Sequence, residues 1–223
     1  MIDENNFNSL QDYIYDHGPA LAVISGKTGC GKTEFLRTLK AKGRQVMDLE
    51  ALAHHRGSVF GALGEDQPGV EQFLVDLSKN WFSFNSALPV WIEDKGSVIG
   101  KLRVPEKLYQ RITSSTFFEL NVPFEKRLQH IKEEYALMDK NVFAGCIKKL
   151  ERRMGFSANH KALHFYKIGQ IDKCLSLLLD YYDRAYDHIK KSSPVKKNIA
   201  IEFTACTNEK YILQLEAMVS ATI

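Results

Sequence analysis

Residues 21–25 (LAVIS) form a continuous apolar run, the pattern of a strand buried on both faces. The run leads into a glycine-rich stretch. Beyond it, residues 32–43 (KTEFLRTLKAKG) place Phe35, Leu36 and Leu39 at helical spacing and stop at Gly43. Residues 44–50 (RQVMDLE) read as a second strand ending in acids. Residues 51–69 hold four glycines and a proline and read largely as loop. An amphipathic helix is expected over 70–84. Further strands are expected at 88–94 (LPVWIED), apolar and then acidic, and at 116–122 (TFFELNV). From Pro123 to about Ser193 the apolar spacing becomes three to four residues throughout, which predicts consecutive helices. A fifth strand is expected at 198–205 (NIAIEFTA), followed by a closing helix.

Short buried strands alternating with helices imply a parallel sheet covered on both faces. The predicted class is α/β, a P-loop NTPase-like parallel sheet of about five strands sandwiched by helices. Residues 1–122 and 194–223 would form the core. Residues 123–193 would form a helical insertion before the last strand, as a lid or arm over the carboxyl edge of the sheet, where ligands bind in such folds.

The link between the first strand and the first helix carries chemistry. Gly26-Lys27-Thr28-Gly29-Cys30-Gly31-Lys32-Thr33 fits G-x-x-x-x-G-K-[ST]. Its glycines let backbone N–H groups turn inward around phosphate, and the helix that follows adds its positive end. Lys32 is expected to reach the terminal phosphates, and the Thr33 hydroxyl to meet Mg²⁺. A magnesium site also wants a carboxylate at a neighbouring strand end. Glu93 and Asp94 end a Walker B-like strand, and Asp48 and Glu50 end the preceding one. The loop that follows contains His54, His55, Arg56, Gly57 and Ser58. It reads as a substrate loop, with Arg56 placed to meet a second phosphate or developing charge.

In the helical block, Lys148, Lys149, Arg152, Arg153, Lys190 and Lys191 form basic clusters near Phe165, Tyr166, Tyr181, Tyr182 and Tyr186. Such groups suit RNA backbone and unstacked bases, but taken alone they fit a solvated helix face over core aromatics better.

Bulk properties narrow the picture only modestly. The 223 residues are 44% hydrophobic and 26% charged, with a formal net charge of +3, which neither demands nor excludes a polyanion. No apolar run reaches the ~18 residues of a spanning helix. The polar, acidic start MIDENNFNSLQDYIY is unlike a targeting peptide, so a cytoplasmic location and no membrane partner are expected. The four cysteines, Cys30, Cys146, Cys174 and Cys206, are scattered. They read as small buried thiols rather than a zinc or disulfide set.

Read in order, GKTGCGKTEFL, MDLEALAHHRGSVFG, PVWIEDKGSVIGKLRVPEKLY, LNVPFEKRLQHIKEEY and LLLDYYDRAYDH resemble the P-loop domain of tRNA 2-selenouridine synthases, over about residues 20–192. The block DLE…L…HRGS.FG is much more specific than a P-loop. The resemblance implies action on wobble 2-thiouridine of tRNA. Sulfur would be replaced by selenium from selenophosphate, through an S-geranylated intermediate made from geranyl diphosphate. The loop would hold geranyl diphosphate, or ATP or GTP, with Lys32 and Arg56 stabilising departing diphosphate and with Asp48, Glu93 and Asp94 as candidate acids. The helical insertion would face tRNA.

Two features differ from the family pattern. Its usual amino-terminal rhodanese domain has no counterpart in the roughly 20 residues before the first strand, which leads us to expect a separate rhodanese-like partner. Where the family continues past WIED with Glu-Ser-Arg, this chain has Lys95-Gly96-Ser97. The bare motifs also fit a small-molecule or nucleoside kinase, or a non-catalytic nucleotide-dependent tRNA-binding subunit.

Overall fold

A computed structural model describes residues 17–55, 66–135, 138–192, 197–204 and 209–223. Its centre is a five-stranded sheet of β1 (Leu21–Ser25), β2 (Val46–Met47), β3 (Val90–Glu93), β6 (Thr116–Asn121) and β7 (Lys197–Glu202). The strands run in the order β2-β3-β1-β6-β7, and every pairing is parallel. This is the predicted α/β P-loop class.

Period-two alternation explains why the sheet is covered twice. Leu21 and Val23 of β1 join Val90 and Ile92 of β3 in one core. That core is capped by Phe73, Leu77 and Trp81 of α3 (Val70–Phe82) and by Leu108 and Ile112 of α4 (Glu106–Ser114). Ala22 and Ile24 point the other way, with Trp91. There they meet Phe35, Leu36 and Leu39 of α1 (Lys32–Ala41) and Ile212, Leu215 and Val219 of α10 (Glu209–Thr222).

The second strand is shorter than the sequence suggests. It ends at Met47, and the short helix α2 (Leu49–Leu52) follows at once, so the expected strand 44–50 and the start of the expected loop 51–69 are corrected. The cause is local. The Asp48 carboxylate accepts the Ala51 N–H at 2.9 Å and caps the helix. The hydrophobic pattern assigned nothing between 94 and 116. The structure places there the hairpin β4 (Val98–Ile99)–β5 (Leu102–Arg103) and α4. Gln67 ties this hairpin to the end of α2, donating to Ala53 O and Ile99 O at 3.1 and 3.0 Å.

Among the described residues, five helices lie between β6 and β7: α5 (Phe124–Tyr135), α6 (Lys140–Lys149), α7 (Glu151–Met154), α8 (Phe156–Lys167) and α9 (Ile171–Ser192). They share an apolar core that includes Phe143, Ile147, Leu150, Leu175 and Leu179. Phe165, Tyr166, Tyr181 and Tyr182 pack against that core. Their spacing therefore reflects helix packing, the second of the two readings open in the sequence.

The far end of α9 docks on the sheet through Glu119 of β6. This buried carboxylate accepts from Lys190 at 2.5 Å, Asn198 at 2.7 Å and Tyr186 at 3.2 Å. Burial alone would raise its pKa, but the Lys190 and Asn198 hydrogen bonds, with Tyr186, outweigh burial and hold it below the ordinary value. Glu119 therefore stabilises the fold fully above the ordinary Glu range of about 4.3. That contribution is lost as pH falls through the lower value it takes in the fold. Thermal unfolding between pH 6 and pH 3 should show a steeper acid loss for the wild type than for Glu119→Gln, whose curve starts lower and is flatter. Parallel curves would mean that Glu119 does not carry the docking.

Candidate phosphate site

The sheet topology decides where the site lies. From β1 the chain moves to one side for β2 and β3 and to the other for β6 and β7, so the crevice beyond the carboxyl end of β1 is the switch point of the sheet. Ile24 is in register with Glu93 and Ser25 with Glu119, which brings the glycine loop and both acids to one edge.

The loop fits its surroundings closely. Gly26 has φ 138°, and a Cβ there would come within 2.7 Å of Leu120 O. Gly29 has φ 80°, and a Cβ there would meet the Ile131 side chain at 2.6 Å. The first position lets the loop leave β1 and the second lets α5 lie against it. Gly31, the N-cap of α1, has no side-chain oxygen to occupy the first-turn N–H groups, which suits an anion. Cys30 is fully buried beneath the loop.

Lys32 and Thr33 converge on the end of β3. The Lys32 ammonium donates to Gly26 O at 2.7 Å and Lys27 O at 3.3 Å, and lies 3.8 Å from Glu93 Oε1. The Thr33 hydroxyl donates to Glu93 Oε2 at 3.1 Å. Glu93 is only 7% exposed. Asp94 is beside it, with a pKa raised chiefly by burial against the opposing influence of Lys32 and the Gly96 N–H.

Lys95 pairs with Glu93 at 2.8 Å and with Glu50 at 2.9 Å. Burial alone would lower the Lys95 ammonium, but Glu93 and Glu50 outweigh it and keep the group charged, above the ordinary lysine value. Burial pushes the Glu50 carboxyl up, with Lys95 opposing. Of the two acids after β2, Glu50 faces this cluster, while Asp48 is committed to its helix cap. The sequence could not choose between them, because the choice depends on the helical turn that starts at Leu49.

His55 lies at the edge of the same cluster. Its imidazole is held below the ordinary value, first by burial and then by Lys95. His54 adopts φ 47°. Arg56, Gly57 and Ser58 lie outside the described residues, as does Cys206. Lys148, Lys149, Arg152, Arg153 and Lys191 are exposed on the helical block, whereas Lys190 is taken up by Glu119.

A second set of contacts joins the loop to the helical block. Arg127 of α5, 4% exposed, makes a two-pronged pair with Asp183 of α9 at 2.8 and 2.6 Å. It also donates to Thr28 O at 3.0 Å and Val122 O at 3.2 Å. Lys27 reaches Asp187, one turn further along α9, at 3.0 Å. The sequence reading passed over Arg127, whose only signal was a charged residue on the inward face of an otherwise amphipathic helix.

Fold and loop together define an α/β protein of the P-loop class. The chain belongs to the family of the tRNA 2-selenouridine synthase AAA domain, whose model matches residues 19–176. It is 32% identical over 165 residues to the tRNA 2-selenouridine synthase of Shewanella woodyi, covering 70% of this chain and 42% of that protein. It is 35% identical over 121 residues to the tRNA 2-selenouridine synthase of Bdellovibrio bacteriovorus, covering 52% of this chain and 31% of that protein. The chain thus spans less than half the length of these relatives. Among solved structures, a full-length tRNA isopentenylpyrophosphate transferase from Bacillus halodurans superposes with a TM-score of 0.47 at 12% identity, over 91% of this chain and 96% of that one. Among the described residues no helix is long and apolar enough to cross a membrane.

Proposed function

We infer that this chain is the diphosphate-binding part of a tRNA-modifying transferase that acts on wobble 2-thiouridine. The observation that carries this reading is the convergence of Lys32, Thr33 and Glu93 at the mouth of the loop, in a chain of this family.

In the step proposed, the sulfur of 2-thiouridine attacks the allylic C1 of geranyl diphosphate. The C–S bond forms as C1–O breaks. Diphosphate leaves with the electron pair, and the base loses its N3 proton to solvent. The loop N–H groups and Lys32 stabilise the charge that grows on the leaving oxygens. Arg56 is the further cation we assign to this role, from the sequence motif that contains it. Thr33 and Glu93 offer two hard oxygen donors, which fits Mg²⁺ held by few protein ligands and completed by phosphate. When bound, that ion would neutralise diphosphate charge. Asp94 is assigned to hold Lys32 in place.

The helical block at 123–193 is assigned to tRNA. Exchange of sulfur for selenium from selenophosphate falls, on this reading, to a separate rhodanese-like partner; the cysteines among the described residues, Cys30, Cys146 and Cys174, are buried. A kinase reading is less favoured, because Asp48, the acid it would employ, caps α2.

Mass spectrometry of a 2-thiouridine anticodon arm, incubated with the chain, Mg²⁺ and geranyl diphosphate, tests the proposal. The expected result is a gain of one geranyl group. An unchanged mass, with the RNA bound, would overturn the transferase reading in favour of a delivery subunit.

A further inference from the structure

Residues 148–167 carry six Lys and Arg against a single Glu. Lys148 and Lys149 end α6, and Arg152 and Arg153 fill the turn α7. All four are exposed. Immediately after them, Gly155 turns the chain with φ 87°, and Phe156 opens α8.

Phe156 stands apart from the other aromatics of this block. Phe143 and Tyr166 stack inside the helical core at 4.8 Å, and Phe165 packs against it. The Phe156 ring is 65% exposed, and its recorded ring contact is with His160, one turn along, at 4.1 Å between centroids and 31° between planes. His160 is exposed as well. Two rings in tilted contact therefore stand exposed, one helical turn from a run of cations.

An exposed ring beside cations is the recurring arrangement for single-stranded nucleic acid, in which the ring takes a base face and the cations take the backbone. We propose that the Phe156–His160 ring pair is a stacking platform for an unpaired base of RNA, flanked by Lys148, Lys149, Arg152 and Arg153 as phosphate contacts. The proposal rests on the reading that this chain handles tRNA and specifies where an unpaired base is gripped. A duplex has no free base face at its sides, so the platform acts on loops and single strands only.

The test is fluorescence anisotropy with a labelled, unmodified anticodon hairpin and a fully paired duplex of equal length, over a range of salt. Phe156→Ala should weaken hairpin binding about tenfold, leave duplex binding unchanged, and leave the salt dependence of hairpin binding intact, since no phosphate contact is lost. Phe156→Trp should retain hairpin binding. Arg152→Ala with Arg153→Ala should weaken both RNAs and flatten the salt dependence. Equal hairpin binding by wild type and Phe156→Ala would overturn the platform while leaving the tRNA reading standing. So would an equal loss on hairpin and duplex. Unchanged RNA binding with altered sedimentation of Phe156→Ala would reassign the ring to a protein contact. Failure of the wild type to bind either RNA would overturn the tRNA reading, and the platform with it.

Discussion

Lys32→Ala should abolish measurable geranyl transfer, with a fall of at least about 100-fold, the scale of removing one donor from developing charge in a water-poor site. Its ammonium is the cation that the loop itself holds at its mouth. Gly26 O and Lys27 O hold it, and Glu93 lies 3.8 Å away, so it is aimed at the mouth of the loop without being locked in a short ion pair. Lys32→Arg should not restore activity. A planar guanidinium does not fit the pocket of carbonyls that a compact ammonium fills. The anticodon hairpin should bind Lys32→Ala as it binds the wild type, because the proposed RNA contacts lie on α6 to α8. The paired measurement, mass gain and hairpin affinity on one preparation, separates the readings. Lost transfer with retained binding supports the diphosphate role. Retained transfer would show that the loop does not hold the leaving group.

The parts of this site that the sequence revealed are those set by local chain chemistry. The loop needs glycine at fixed offsets, and β1 and β3 are apolar runs short enough to be read as buried strands. The parallel sheet, the flanking helices and the helical stretch before the last strand all follow from periodicity. What the sequence concealed depends on side-chain direction. Asp48 and Glu50 are equivalent as letters, but a helical turn starting at Leu49 commits one to a cap and sends the other to Lys95. Lys190 reads as a free basic residue until the docking of α9 brings it to Glu119. Phe156 looks like another apolar position of a helix. It opens α8 directly after the turn at Gly155 and is exposed there, while the next turns of the helix bury Asn159 and Ala162. The hairpin β4–β5 has strands of two residues each, too short for any period to emerge.

Arg127→Met should produce the largest loss of stability, about 3–5 kcal/mol, the range for breaking one side of a buried ion pair. The guanidinium is nearly inaccessible, and removing it leaves Asp183 with Lys27, 4.0 Å away, in place of a two-pronged partner. Urea unfolding of the single variants and of Arg127→Met with Asp183→Leu checks this. The double variant replaces a charge pair by apolar groups and leaves no unpaired charge, so most of the stability should return. Affinity for diphosphate should not return with it. Arg127 also holds Thr28 O, and Asp183 and Asp187 face Lys27, so the pair fixes the second and third residues of the phosphate loop as well as joining two helices. Calorimetric titration of the refolded double variant with inorganic diphosphate should therefore remain weak, by about tenfold for the loss of a charged hydrogen bond. Recovery of both stability and affinity would make the pair a packing feature alone. Recovery of stability without affinity would show that the helical block sets the shape of the phosphate loop, so that whatever moves α9 would also change how tightly diphosphate is held.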